Sequence, residues 1–185
     1  MRIVGGKFKG HSLASPAGHA TRPTSDRVRE AIFNILAHGI EDFTIEGARV
    51  LDLFAGTGAM GLEAVSRGSR FCQFVDDSAQ ARGLIRRNAD ALGVIGQVKI
   101  WRRDATRLGP CAPQPGYDLV IADPPYGKGL GTRALAALVE GGWLLPGAVV
   151  VVEEALGAEL LAPDSLTLLS QRDYGETQVR FYRAA

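Results

Sequence analysis

From Arg49 onward the chain alternates short apolar runs with longer stretches of mixed character. RVLDLF (49–54), FCQFVD (71–76), VKIWR (98–102), YDLVIAD (117–123) and AVVVVEE (148–154) have the length and composition of strands buried on both faces. Between them, AQARGLIRRNADAL (79–92) and RALAALVEGG (133–142) have helical length. This alternation predicts an α/β fold with a mostly parallel sheet covered on both sides. SLTLLSQRDYGETQVRFYR (165–183) alternates polar and apolar positions across YGET and predicts an antiparallel hairpin closing the sheet edge. Ahead of the alternation, RPTSDRVREAIFNIL (22–36) opens a helix: Pro23 precedes it, Thr24 or Ser25 can cap it, and Asp26 favours its positive end. Val28, Ala31, Ile32, Ile35 and Leu36 share one face of that helix, leaving Arg27, Arg29 and Glu30 largely outside it. Residues 1–20, interrupted by GG and PAG, predict a hairpin or loop.

A chain of 185 residues holds one well-buried domain with room for a small appendage. The division expected is a basic extension over 1–40 and an α/β domain over 41–185. AVVVV (148–152) is too short to span a bilayer and MRIVGGKFKG lacks the apolar core of a signal peptide, so a cytoplasmic location is expected. Cys72 and Cys111 lie outside any metal-ligand spacing; reduced structural thiols and no metal are expected. Net charge is +1, but through His38 six Lys/Arg (Arg2, Lys7, Lys9, Arg22, Arg27, Arg29) face two acids (Asp26, Glu30). That asymmetry fits a phosphate-facing arm as well as it fits a solvated basic surface.

LDLFAGTGAMG (51–61) carries the chemistry of a cofactor turn. Gly56, Gly58 and Gly61 satisfy G-x-G-x-x-G, and Asp76 lies twenty residues beyond the first. Glycine opens backbone conformations closed to other residues and brings main-chain N–H groups close to a ligand. On these glycines alone a dinucleotide and S-adenosylmethionine are nearly level. Asp52, four residues earlier, would repel a diphosphate and suits a cationic partner. Asp76 can accept hydrogen bonds from ribose hydroxyls, and Asp104 with the Ala105 N–H can meet an adenine. An open α/β sheet binds ligands outside the carboxyl ends of its strands, where Asp52, Asp76, Asp104 and Asp123 all fall.

ADPPYG (122–127) ends an apolar strand at that rim. Pro124 and Pro125 fix φ and remove two donors, making a rigid loop. Asp123 and the Pro124 carbonyl can accept hydrogen bonds from an exocyclic amine, and Tyr126 offers a platform for a planar base. Such acceptors stabilise the positive charge that grows on an attacking nitrogen, a gain concentrated in the transition state. No Ser-His-Asp or Cys-His arrangement is apparent, which points to direct transfer.

DLFAGTG followed by DPPY resembles the class I methyltransferases that modify base amino groups. Together with RIVGGKFKG, TRPTSDRVREAIFNIL, LDLFAGTGAMGLEAVSRG and DPPYGKGL, nearly the whole chain resembles the bacterial RsmD family. The resemblance implies a Rossmann-like class I methyltransferase fold with a seven-stranded, mostly parallel sheet, a C-terminal antiparallel hairpin and an N-terminal RNA-binding extension. It implies methylation of the N2 amino group of one 16S ribosomal RNA guanine in the assembled small subunit, by a protein expected to be a monomer. It sets S-adenosylmethionine against Asp52, Ala55, Gly56, Gly58, Asp76, Asp104 and Asp123, and the guanine against Asp123–Tyr126. The family often has Asn at positions 123 and 104 and an acid at position 78, where this chain has Asp123, Asp104 and Ser78. A DNA adenine or cytosine amino-methyltransferase and a non-catalytic RNA-binding assembly factor are the alternatives. If the basic arm holds phosphates, Lys7→Ala or Arg27→Ala weakens RNA binding and leaves cofactor affinity intact. Filter binding and calorimetry check this, and a parallel loss of cofactor affinity contradicts it.

Overall fold

The computed structural model describes residues 1–17 and 24–185. Arg22, read as a phosphate contact, and Pro23, read as the helix opener, lie outside the described residues. Among those described, seven strands form one sheet: β1 (Arg49–Leu53), β2 (Phe71–Val75), β3 (Val98–Trp101), β4 (Tyr117–Ala122), β5 (Leu144–Ala155), β6 (Leu166–Tyr174) and β7 (Thr177–Ala184). Four α-helices accompany them: α1 (Asp26–His38), α2 (Ala59–Ser66), α3 (Ala79–Ala91) and α4 (Leu130–Glu140). The strand order is β3-β2-β1-β4-β5-β7-β6. β1 to β5 pair in parallel, and β7 runs antiparallel to both β5 and β6. This is the Rossmann-like fold of class I methyltransferases, with the hairpin at one edge.

Successive side chains on a strand point to opposite faces, and the central strands use both. Val50, Leu119, Ile121, Val149 and Val151 pack in one apolar layer with Phe33, Leu36, Leu62 and Ile85. Leu51, Leu53, Val120, Val150 and Val152 pack in a second with Leu135, Leu138, Trp143 and Tyr182. That is why these strands read as unbroken apolar runs rather than alternating ones.

The N-terminal residues form a tight loop with a single antiparallel bridge, Arg2 to Ser12, in place of paired strands. It is docked on α2: the Val4 and Gly5 N–H groups donate to the Glu63 carboxylate at 3.0 and 2.9 Å, and the Lys7 N–H donates to the Ser66 carbonyl at 2.9 Å. α1 is capped by Ser25, whose Oγ accepts from the Val28 N–H at 3.2 Å, with Asp26 in its first turn.

Arg29 corrects the sequence reading. It is fully buried on the face of α1 that also carries Ile32, Phe33 and Leu36, and so has no surface to offer a phosphate. Its position is three, four and seven residues before those apolar ones, the spacing of one helix face. Burial is tolerated because Nε donates to Glu63 Oε1 at 3.2 Å, Nη2 donates to Asp26 Oδ1 at 2.7 Å, and Nη2 also donates to the Arg2 carbonyl. Glu63, equally buried, also accepts from Arg67 Nε at 2.9 Å. One carboxylate therefore ties together α1, α2 and the N-terminal loop.

Removing one partner of a buried ion pair leaves an uncompensated charge, at a cost of about 3–5 kcal/mol. Glu63→Ala is expected to destabilise on that scale in denaturant unfolding, since it removes the buried counter-ion of Arg29, leaving only the half-exposed Asp26, and strands two backbone donors. A loss below about 1 kcal/mol, the value of an exposed pair, would contradict this role.

Candidate active site

The sheet turns its sequence order at β1, which has β2 on one side and β4 on the other. Loops leaving the two sides diverge there, opening a crevice at the carboxyl ends of the strands. A cavity of about 490 Å³ occupies it, within the range of small-molecule sites. Its walls include Asp52, Ala55 and Gly56 after β1, Asp76 after β2, and Asp123, Pro124, Pro125 and Tyr126 after β4. The glycine turn and the double-proline loop thus face one space.

The turn after β1 is built from left-handed backbone. Phe54, Gly56 and Gly58 have φ of 54°, 57° and 80°. Gly56 presents its N–H to Asp76 Oδ2 at 2.9 Å, while Asp76 Oδ1 takes the Ser78 N–H at 2.9 Å. No atom lies within 4 Å of where a Cβ on Gly56 would stand, so that face of the turn is open. Gly61 has a different reason: a Cβ there would meet Phe74 at 2.5 Å and Cys72 Sγ at 2.6 Å. Its bare backbone lets α2 lie against β2. Ser78 caps α3 by accepting from the Ala81 N–H.

Asp52 is 2% exposed, and its Oδ2 accepts from the Gly61 N–H at 2.9 Å. Burial pushes its carboxyl well above the usual carboxylate range, against the Gly61 bond, and the nearby Asp123 and Asp76 add to the rise. The site therefore holds a carboxylate that a cation would help to ionise.

The proline loop is held at both ends. Tyr126 Oη and Thr177 Oγ1 of β7 are hydrogen-bonded at 2.8 Å, fixing the phenol to the hairpin. Gly127 N–H reaches Glu154 Oε1 of β5 at 3.3 Å. Thr24, just ahead of α1, sets its Oγ1 3.2 Å from Asp123 Oδ2 and 2.8 Å from Glu153 Oε2. Met1, Pro16 and Thr24 all contribute to the cavity wall, so the N-terminal extension borders the site.

Asp104 and Ala105 follow β3 at the same edge but do not line this cavity. Asp104 Oδ1 is taken up by the Thr106 N–H at 2.8 Å and the Thr106 hydroxyl at 2.6 Å, bonds that hold its carboxyl below the usual range. Among the basic candidates Arg2, Lys7, Lys9 and Arg27 are exposed. Sequence reasoning missed Thr24, taken only as a helix cap, and Glu153. The signal for Glu153 was present: a carboxylate closing the apolar run VVVV, one position beyond the Ala122–Val152 pair and hence beside Asp123. Among the described residues, no cluster of three or more His, Cys, Asp or Glu could hold a metal ion, and no helix is long and apolar enough to cross a membrane.

The upward shift at Asp52 has a sign that can be tested. Folding favours its neutral form, so its share of stability is intact below the ordinary Asp value of about 3.9 and is lost as pH rises through the folded-state value. Asp52→Asn keeps an acceptor for Gly61 and removes that loss. Its melting temperature relative to the parent is expected to rise between pH 4 and pH 8 (range set by roughly the ordinary Asp value). A variant less stable by a constant margin across that range would contradict the assignment.

Comparison with known proteins agrees with this geometry. A family model described as "Conserved hypothetical protein 95" matches residues 1–183. YlbH of Bacillus subtilis is 35% identical over 99% of this chain and 98% of its own length. The Escherichia coli protein named "Ribosomal RNA small subunit methyltransferase D" is 34% identical over 99% of this chain and 89% of its own length. The solved structure of Escherichia coli yhhF superimposes with a TM-score of 0.84 at 28% identity, covering 100% of this chain and 97% of that one. A family match spanning the fold and both loops of the cavity leaves one conclusion: the chain belongs to the conserved hypothetical protein 95 family, the RsmD family of methyltransferases.

Proposed function

We propose that this protein transfers a methyl group from S-adenosylmethionine to the exocyclic N2 amino group of a guanine in 16S ribosomal RNA, acting on the assembled small subunit. The observation that carries the reading is the single cavity shared by the glycine turn and the double-proline loop. S-adenosylmethionine supplies an electrophilic methyl group on a sulfonium. The open face of Gly56, the buried Asp52 and the half-buried Asp76 fit it: a carboxylate pushed toward neutrality by burial is one that a cationic ligand stabilises. Asp76 is the carboxylate suited to ribose hydroxyls. Asp104 and Ala105 would reach an adenine only from outside the present lining.

An aryl amine is a poor nucleophile because its lone pair is delocalised into the ring. Asp123 and the Pro124 carbonyl accept its hydrogens, favour the pyramidal nitrogen, and stabilise the charge that develops there. Tyr126 stacks the base, with its ring set by the bond to Thr177; stacking of this kind contributes about 1–3 kcal/mol. Holding the reactants in line supplies effective molarities of roughly 10⁵–10⁸ M. Arg2, Lys7, Lys9 and Arg27 stay in solvent on the extension that borders the cavity, where phosphate contacts would make affinity strongly salt-dependent. A ribosomal loop, whose base can be splayed out, suits a pocket of this size.

Labelled S-adenosylmethionine offered to undermethylated small subunits and to naked 16S RNA tests the reading. Mass spectrometry of the digested RNA is expected to find N2-methylguanosine, formed faster on subunits. Another methylated nucleoside, or no labelling of either substrate, overturns it. Asp123→Ala is expected to lower kcat by about 10²–10³-fold, the scale of one lost transition-state acceptor, with cofactor affinity retained. Full turnover in that variant would favour a site elsewhere.

A further inference from the structure

The Thr24 hydroxyl stands between two carboxylates, 3.2 Å from Asp123 Oδ2 and 2.8 Å from Glu153 Oε2. A hydroxyl carries one hydrogen. If both carboxylates were ionised, only one of the two contacts could be a hydrogen bond, and the other would set lone pair against lone pair. Two bonds among three oxygens need a second proton.

Where it sits follows from burial. Glu153 is 1% exposed on β5, whereas Asp123 is half-buried and lines the open cavity. The charged groups facing Glu153 are Asp123, Asp52 and Arg29, and the Arg29 guanidinium is already engaged by Glu63 and Asp26. A charge on Glu153 would be the more poorly solvated and would face two other carboxylates. Burial, then Asp123, push its carboxyl well above the usual range.

Building on the methyl-transfer reading, we propose that Glu153 is a positioning residue: as a neutral acid it donates to Thr24 Oγ1, which donates to Asp123 Oδ2, fixing Asp123 as an oriented carboxylate acceptor for the substrate amine. The proton is held and not transferred, and no bond other than hydrogen bonds changes. The chain Glu153 to Thr24 to Asp123 also links β5, the segment ahead of α1, and the proline loop. Asp123 is thus oriented by the same N-terminal extension that carries the exposed basic residues.

The conservative variant separates this from a packing role. Glu153→Gln keeps a donor at the position of the acid hydrogen, whereas Glu153→Ala and Thr24→Val break the chain. On the full-length protein with subunits as substrate, Glu153→Ala and Thr24→Val are expected to lower kcat by up to roughly 10²-fold, the scale of a misplaced reacting group, with KM for S-adenosylmethionine unchanged. Glu153→Gln is expected to restore most of that loss. Infrared spectroscopy of the unliganded protein reads the proton without turnover: a protonated carboxylic acid C=O band at neutral pH that Glu153→Gln removes. If Glu153→Gln is as inactive as Glu153→Ala, or no such band exists, Glu153 works as an anion and the proposal falls. Parent protein that methylates no RNA would overturn the proposed function instead, and the infrared result would still decide the protonation state.

Discussion

At the carboxyl ends of β1, β2 and β4 the fold gathers Asp52, Asp76 and Asp123 around one crevice, with Glu153 of β5 buried beside Asp123, and carboxylates brought together in this way would repel one another if all were ionised. Parallel register forces this crowding, because neighbouring strands end together. The structure offsets it with donors: the Gly61 N–H for Asp52, the Gly56 and Ser78 N–H groups for Asp76, and, in the proposed chain, the Thr24 hydroxyl for Asp123 with Glu153 held as the neutral acid. Two of these donors belong to the glycine motif itself. Its glycines therefore serve the carboxylates as well as any ligand, and a cationic cofactor would relieve what repulsion remains.

The same economy governs the N-terminal extension. Its loop and α1 converge on Glu63, a single buried carboxylate on α2, and Ile3, Leu13, Ile32, Phe33 and Leu36 share the apolar layer of the sheet. Met1, Pro16 and Thr24 then form part of the cavity wall. The extension is built into the site rather than appended to it. An RNA held by its exposed basic residues would be held next to the reacting groups.

Much of this was legible in the sequence. Each strand from β1 to β4 ends within a residue of its apolar run, and in β1, β2 and β4 burial of most positions keeps that run nearly unbroken. β5 begins earlier, at Leu144, ahead of the AVVVV run. The glycine turn and DPPY were legible because their residue types are dictated by backbone geometry and rigidity. What escaped were contacts over long sequence separations. Arg29 reads as surface charge until Glu63, thirty-four residues away, is brought beneath it. Thr24 reads as a cap until β4 and β5 place Asp123 and Glu153 at its hydroxyl, 99 and 129 residues distant. Strand position made Asp104 a ligand candidate, and what the sequence did not show is that Thr106, two residues on, bonds one of its carboxylate oxygens.

The account's central claim is that one crevice holds the methyl donor and the acceptor base against each other. A crystal structure with S-adenosylhomocysteine bound measures this most directly. The account predicts the ribose on Asp76 and the thioether sulfur facing the Asp123–Tyr126 loop. A ligand seated elsewhere on the molecule, or one whose sulfur points away from that loop, would contradict it.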